Sequence, residues 1–333
     1  VRVLESVEEP TEITNPYIVQ LLDGLRSAGV RIEHFDWRSA FRGDYDLFHV
    51  HWPELVVRAP TAARRTAKQL LFLALILALR LRRVPIVWTV HNVAPHEGAS
   101  LLQRIVLAVF TRSISAFILI NAAAAPDVVA KSPGESHVIL HGDYRDWFSR
   151  HEPGLVVRKR MLYFGLLRPY KGVESLLAAF ADLDDPAATL HIAGKPIPAT
   201  YGESLERLAA ADERVTLSLG FATDEAIRRN AGEAELVVLP YRQMYNSGSA
   251  LLALSLGRPV LVPNSPSNEA LAAEVGNDWV IGYEGELDAT ILRGALASVS
   301  PLIGSTEPDL SARDWRGGIA KHLELFGSLT RRL

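Results

Sequence analysis

Arg168 and Lys171 stand three residues apart in FGLLRPYKGVESLLAAF, just after an apolar strand and just before a helical run. Two cations beside a helix N-terminus suit a diphosphate. The unpaired N–H groups and the macrodipole at that end favour negative charge, and the side chains add charge-assisted hydrogen bonds. A second such terminus follows in MYNSGSALLALSLGRPVLVP. Here the backbone N–H groups of Gly248 to Ala250 and the hydroxyls of Ser247 and Ser249 would form an anion cradle. The plainer reading of SGS is an N-cap for a buried helix. Between the two, HIAGKP places Gly194 at a strand end, where only a small residue lets a ligand approach the backbone. LGFATDEAI supplies a flat aromatic, Phe221, ahead of a capped helix start at Thr223.

Histidines form the second group. His49 and His51 alternate along a strand and so share one face, and HNVAPHE adds His91, His96 and Glu97. Such a set has the composition of a zinc site. Hydrogen bonding and acid–base chemistry are its other uses. Glu12, Glu54, His91 and Glu97 are the candidate bases at strand ends.

The elements that must position these groups read as two α/β halves. In the first, VRVLES, VRIEHF, YDLFHVHW, VPIVWTVHN and ISAFILIN are short apolar strands separated by helical stretches. In the second, RMLYFG, ATLHIAG, RVTLSLG, AELVVLP and DWVIGYEG repeat the scheme after a turn-rich link, VILHGDYRDWFSRHEPGLVVRK. This repetition implies doubly wound parallel sheets, with ligands beyond the carboxyl ends of the strands. Length agrees: 333 residues is long for one core and natural for two. The net charge of −3 argues against a nucleic-acid binder that relies on basicity. With no cysteine there are no disulfides, thiolate nucleophiles or thiolate zinc sites. The excess of arginine over lysine is that of a GC-rich bacterial genome.

In order and in kind, FGLLRPYKGVESLLAAF, LHIAGKP, LSLGFATDEAI, AELVVLPY and GSALLALSLGRPVLVP resemble the motifs of the group 1 nucleotide-sugar glycosyltransferases of the GT-B fold. TVHNVAPHE and DLFHVHW extend the likeness into the first half, and their pattern looks like the bacterial exopolysaccharide transferases, β-mannosyltransferases included. The resemblance implies two Rossmann-like domains facing a cleft: an acceptor domain over 1–152, a donor domain over 159–310, and a C-terminal segment over 311–333 returning to the first. In that last segment Trp315, Ile319, Leu323 and Phe326 would be the anchors. It implies a hexosyltransferase that moves a sugar from a nucleotide-diphosphate donor, GDP-mannose as first expectation, to a glycan or lipid-linked oligosaccharide. It also implies that neither a metal nor another cofactor is needed.

Carried over residue by residue, Arg168 and Lys171 would bind the donor diphosphate, and Gly194, Lys195 and Phe221 would lie at the nucleobase and ribose. Gly248 and Ser249 join them with Ser247, and Tyr245 and Asn246 would recognise the sugar. Thr14, Asn15 and His51 would meet the acceptor, with His91 and Glu97 as the catalytic pair. The family's two glutamates are replaced here by Met244 and Leu252, which implies an inverting rather than a retaining route. A retaining transferase with another donor and a catalytically degenerate partner subunit are the alternatives; a GT-B epimerase or phosphorylase would need a carboxylate pair or a cofactor lysine that the sequence does not offer.

RRTAKQLLFLALILALRLRR, residues 64–83, holds ten consecutive apolar residues, half of a bilayer span. It reads either as a crossover helix buried on every face or as a basic, leucine-rich helix lying on an anionic membrane surface. VRVLESVEEPTE lacks the regions of a signal peptide. A cytoplasmic protein is expected, with the inner face of the plasma membrane as its second address.

Overall fold

A computed structural model describes residues 1–12, 14–91, 100–121, 123, 127–130, 132–241, 248–304 and 306–331. The chain forms two compact units, Val1–Gly142 with Ala312–Leu333, and Asp143–Ser311.

The first unit holds the parallel strands β1 (Arg2–Glu5), β2 (Arg31–His34), β3 (Leu47–Val50), β4 (Ile86–Val90), β5 (Ala116–Leu119) and β6 (Glu135–Val138). Their order is β2-β1-β3-β4-β5-β6. Helices α1 (Pro16–Ser27), α2 (Trp37–Arg42), α3 (Pro53–Val56), α4 (Ala62–Leu81), α5 (Leu101–Thr111) and α6 (Asp127–Ala130) connect them. Strands β3, β4 and β5 are buried along their whole length, as parallel strands covered on both faces must be. The start of α1 is set by Pro16 at its first position and by the Asn15 side-chain oxygen, which accepts from the Tyr17 backbone N–H at 3.0 Å. Its inward stripe is Tyr17, Ile18, Leu21, Leu22 and Leu25.

Of the two readings of residues 64–83, burial on every face is wrong. α4 does cross from β3 to β4, but it buries only Gln69, Phe72, Leu75, Ile76 and Leu79. Leu70, Leu77 and Leu81 are 55%, 59% and 78% exposed. Phe72 packs on Phe110 of α5, ring centroids 5.5 Å apart, and α5 exposes Leu101 and Ile105 in its turn. Neither helix needs its outer leucines for the core. Among the described residues, no helix is long and apolar enough to cross a membrane.

The second unit opens with α7 (Arg145–Phe148) and continues through β7 (Arg160–Phe164), α8 (Val173–Ala181), β8 (Thr189–Gly194), α9 (Ala199–Ala209), β9 (Val215–Leu219), α10 (Asp224–Glu233) and β10 (Leu236–Val238). It closes with α11 (Gly248–Ser255), β11 (Val260–Pro263), α12 (Pro266–Val275), β12 (Val280–Tyr283) and α13 (Ala289–Val299). The sheet order is β12-β11-β10-β7-β8-β9, all parallel. Residues 143–152, read from sequence as the end of the first domain, belong here instead. Tyr144 and Phe148 are sealed in this unit's core, and the Ser255 hydroxyl accepts from the Tyr144 backbone N–H at 3.0 Å.

The last helix, α14 (Trp315–Arg331), belongs to the first unit and packs on α1. Ile319 and Phe326 are buried there, Leu323 is partly buried, and the Trp315 ring centroid lies 5.5 Å from that of Tyr17.

Candidate functional site

In a doubly wound sheet the ligand crevice opens where the strand order reverses. Chain direction places that point between β1 and β3 in the first unit and between β7 and β10 in the second. The residues gathered at each point are that unit's candidate site.

In the first unit, Glu5 ends β1 in register with His49 of β3. Glu5 Oε1 lies 3.0 Å from His49 Nδ1, and Glu5 Oε2 lies 3.2 Å from His51 Nε2. His51 Nδ1 lies 3.1 Å from His91 Nε2, at the end of β4. His49 Nε2 is 2.8 Å from Thr89 Oγ1, and Phe326 of α14 packs against the His49 ring. Around them, Trp52 stacks on His91 with centroids 4.4 Å apart, and Tyr17 meets the rings of His51, His91 and His141. Glu5 and His49 are fully buried and His51 nearly so. The donor atoms of Glu5, His49 and His51 fall within 4.8 Å of one another. Each carboxylate oxygen is already matched to a ring nitrogen at hydrogen-bond length, so the trio is a hydrogen-bonded network.

Burial alone would raise the Glu5 carboxyl, but the hydrogen bonds and charge of His49 and His51 outweigh it and hold it at about 2. Burial lowers His51 to about 4, His49 adding to the effect and Glu5 opposing it. Burial, then the neighbouring histidines 51, 141 and 49, lowers His91 well below its ordinary value. His141 and His322 fall to about 4, again through burial first. These rings are neutral at pH 7, able to accept a proton but not to keep it in the resting state.

Of the residues expected at the acceptor, His51 and His91 are thus brought together. Thr14 Oγ1 accepts from the Thr11 N–H in a local turn, and Asn15 is occupied as the cap of α1. Glu12 is exposed. Glu97 and His96 lie outside the described residues. Sequence reasoning missed Glu5, Tyr17, Trp52 and His141. The signal for Glu5 was a lone carboxylate closing an apolar strand that enters the sheet beside the His-x-His strand.

In the second unit, Lys171 Nζ lies 3.3 Å from Tyr241 Oη and 4.5 Å from the centre of that ring. Gly165 takes a φ of 120°, and a Cβ there would sit 3.3 Å from Ser249 Oγ and 3.9 Å from both Lys171 Nζ and Tyr241 Oη. These groups therefore share one small space at the ends of β7 and β10. Arg168 adds a buried Nε with no hydrogen-bond partner among the described residues, the mark of a donor aimed at something else. Gly248 and Ser249 open α11.

Gly194 has a reason to be glycine that the sequence does not show. A Cβ on it would stand 1.8 Å from the Gly165 carbonyl oxygen, so the adjoining backbone already demands the small residue. Lys195 is exposed and Phe221 is 67% exposed beside the Thr223 cap of α10. Leu252, at one of the two glutamate positions, packs against the core. Met244, Tyr245, Asn246 and Ser247 lie outside the described residues.

Comparisons with known proteins bear on the same regions. Residues 158–293 match the family model described as glycosyl transferases group 1. A GDP-mannose:glycolipid 4-beta-D-mannosyltransferase of Xanthomonas campestris pv. campestris is 44% identical over 315 residues, 95% of this chain and 88% of that protein. Among solved structures, sucrose-phosphate synthase from Thermosynechococcus elongatus aligns over 100% of this chain and 99% of its own, with TM-score 0.65 at 15% identity. Anabaena HepE, in complex with UDP-glucose, aligns over 97% and 99% with TM-score 0.62 at 16% identity. At such identities the structures speak for the shared fold, and the full-length relative speaks for the family. The chain belongs to the group 1 glycosyl transferases: it is a glycosyltransferase built on the GT-B fold.

Proposed function

We propose that the protein transfers mannose from GDP-mannose to a glycolipid acceptor with inversion, forming a β-mannosidic bond. The observation that carries this reading is the 44% identity, over 95% of the chain, to a relative named for that reaction. The second unit holds the donor. Arg168, whose Nε has no partner among the described residues, and Lys171 neutralise the diphosphate, and the N–H groups and Ser249 hydroxyl at the start of α11 complete the cradle. The guanosine lies toward Lys195 and Phe221, and Tyr245 and Asn246 contact the mannose.

The first unit holds the acceptor and the base. His91 takes the proton of the acceptor hydroxyl, and the freed oxygen pair forms the bond to the anomeric carbon. The bond from that carbon to the phosphate oxygen breaks, and its electron pair leaves with GDP. Glu97, six residues on, orients the acceptor with the Thr14 hydroxyl and the Asn15 amide N–H, while His51, its two ring nitrogens matched to Glu5 and His91, stands behind the base. The cations and helix N-termini carry the leaving charge, so neither metal nor organic cofactor enters the scheme. Inversion accords with Leu252 and Met244 in place of a glutamate pair.

A lipid-linked acceptor brings the enzyme to a membrane. We infer that the outer faces of α4 and α5, with Leu70, Leu77, Leu81, Leu101 and Ile105 exposed beside the arginines of α4, rest on an anionic surface at the inner face of the plasma membrane. The test of the chemistry is the anomeric centre of the product. NMR should report a β-mannoside made from the α-linked donor. An α-linked product would mean retention, and no transfer from GDP-mannose would favour another donor or an inactive partner subunit.

A further inference from the structure

The proposed reaction uses His91 but leaves unexplained a fully buried carboxylate that reaches it through a single ring. Glu5 is 0% exposed, and a bare charge in that position would be prohibitive. Its surroundings determine more than its own neutralisation. An ionised carboxylate can only accept hydrogen bonds. His49 Nδ1 at 3.0 Å and His51 Nε2 at 3.2 Å must therefore both carry protons toward it. A neutral His51 then has its lone pair on Nδ1, the atom 3.1 Å from His91 Nε2. Two lone pairs cannot face each other at that distance, so His91 Nε2 carries the proton and its lone pair falls on Nδ1.

We infer that Glu5 is a positioning residue: acting through His51, it sets the His91 tautomer so that Nδ1 holds the lone pair that takes the acceptor's proton. The inference rests on the reading of His91 as the base. When the hydroxyl proton moves to His91 Nδ1, the new imidazolium keeps its Nε2–H on His51, and the Glu5 carboxylate supplies the countercharge one ring away. The oxygen's electron pair goes to the anomeric carbon and the old glycosidic pair departs with GDP, so protons and charge balance without an outside base. Stacking on Trp52, at 22° between planes, and the edge contact with Tyr17 hold the His91 ring at the angle that this chain of contacts requires. The same logic, a buried carboxylate fixing the tautomer of a base, governs catalytic triads, here with one more imidazole between.

Long-range proton–nitrogen NMR on protein labelled at histidine reads the tautomers directly, the His51 and His91 signals being assigned by the loss of each in His51→Gln and His91→Gln. Both rings should be Nε2–H in the wild type; a His91 ring protonated on Nδ1 overturns the inference. Glu5→Gln keeps the shape and removes the charge. It should lower kcat by roughly 10²- to 10³-fold, somewhat less than the loss in a triad whose base is held in the wrong tautomer, while the KM for GDP-mannose and the melting temperature hold. Near-normal kcat, or kcat, KM and melting temperature falling together, would make Glu5 a structural residue and overturn the claim. If Glu5→Gln does not fold, the wild-type tautomers still decide. Full activity in His91→Ala alongside the expected tautomers would sink the base reading and the catalytic use of the relay, while leaving the tautomer assignment standing.

Discussion

Lowering the pH from 7 to 5 should destabilise the first unit far more than the second. His51, His141 and His322 are buried and held to about 4. In the unfolded chain each titrates near 6.5. Between those values the unfolded state binds protons that the folded state refuses, so stability rises with pH across this window and falls as the medium is acidified. For one such ring the loss from pH 7 to pH 5 is about 2 kcal/mol, and for three an upper figure of about 6 kcal/mol, before the contribution of His91. Glu5 works in another window. Its carboxyl, held at about 2, stabilises the fold above the ordinary 4.5, and that share is lost only as pH falls from there toward 2. A domain with a total stability of roughly 5–15 kcal/mol would give up a large part of it by pH 5.

Urea unfolding followed by hydrogen-exchange mass spectrometry separates the units: peptides over β1, β3 and β4 report one and peptides over β7, β8 and β11 the other. The expected result is a midpoint for the first set that falls steeply between pH 7 and 5 at an unchanged m value. The second unit's buried histidine, His191, is also lowered, by burial first, so its peptides should move less but in the same direction. A first-unit midpoint flat to within about 1 kcal/mol over that range would refute the reasoning, because it would mean that the rings protonate in place.

Arg168→Ala and Lys171→Ala should each lower kcat by roughly 10²-fold or more, the scale of losing a stabiliser of developing charge. Melting temperature should hardly change for Arg168→Ala, since its Nε leaves no partner behind among the described residues; an unchanged turnover would move the diphosphate elsewhere. The protein should co-sediment with vesicles containing anionic lipid, less so at high salt and less so when Arg80 and Arg83 are replaced by glutamine. Equal binding to neutral vesicles would remove the electrostatic part of that reading.

Both sheets could be read from the sequence because each strand is a short apolar run and each connection a helix-length stretch, the pattern that parallel pairing imposes. Their strand orders could not. Glu5 and His49 are 44 residues apart and become neighbours only because β3 inserts beside β1, and no local period records that choice. Arg168 and Lys171 were legible because their chemistry is local to one strand–helix turn. Tyr241 was not, because it arrives from β10. The backbone crowding at Gly194 was not legible: a strand-end glycine looks the same whether or not a neighbouring carbonyl presses on it. Of the two readings of residues 70–79, burial on every face failed because the run hides a one-sided stripe whose outer members the core never uses.

The course of the chain through its two units has a consequence for biosynthesis. The second unit is one unbroken stretch, Asp143–Ser311, whereas the first is completed only by Ala312–Leu333. On the ribosome, the earlier-made strands therefore wait, with the ring of His49 uncovered, until Phe326 on α14 has been synthesised and can close over it. The later-made unit has all of its own core to hand before then. The unit begun first is thus completed second, when α14 covers the ring beside the buried carboxylate.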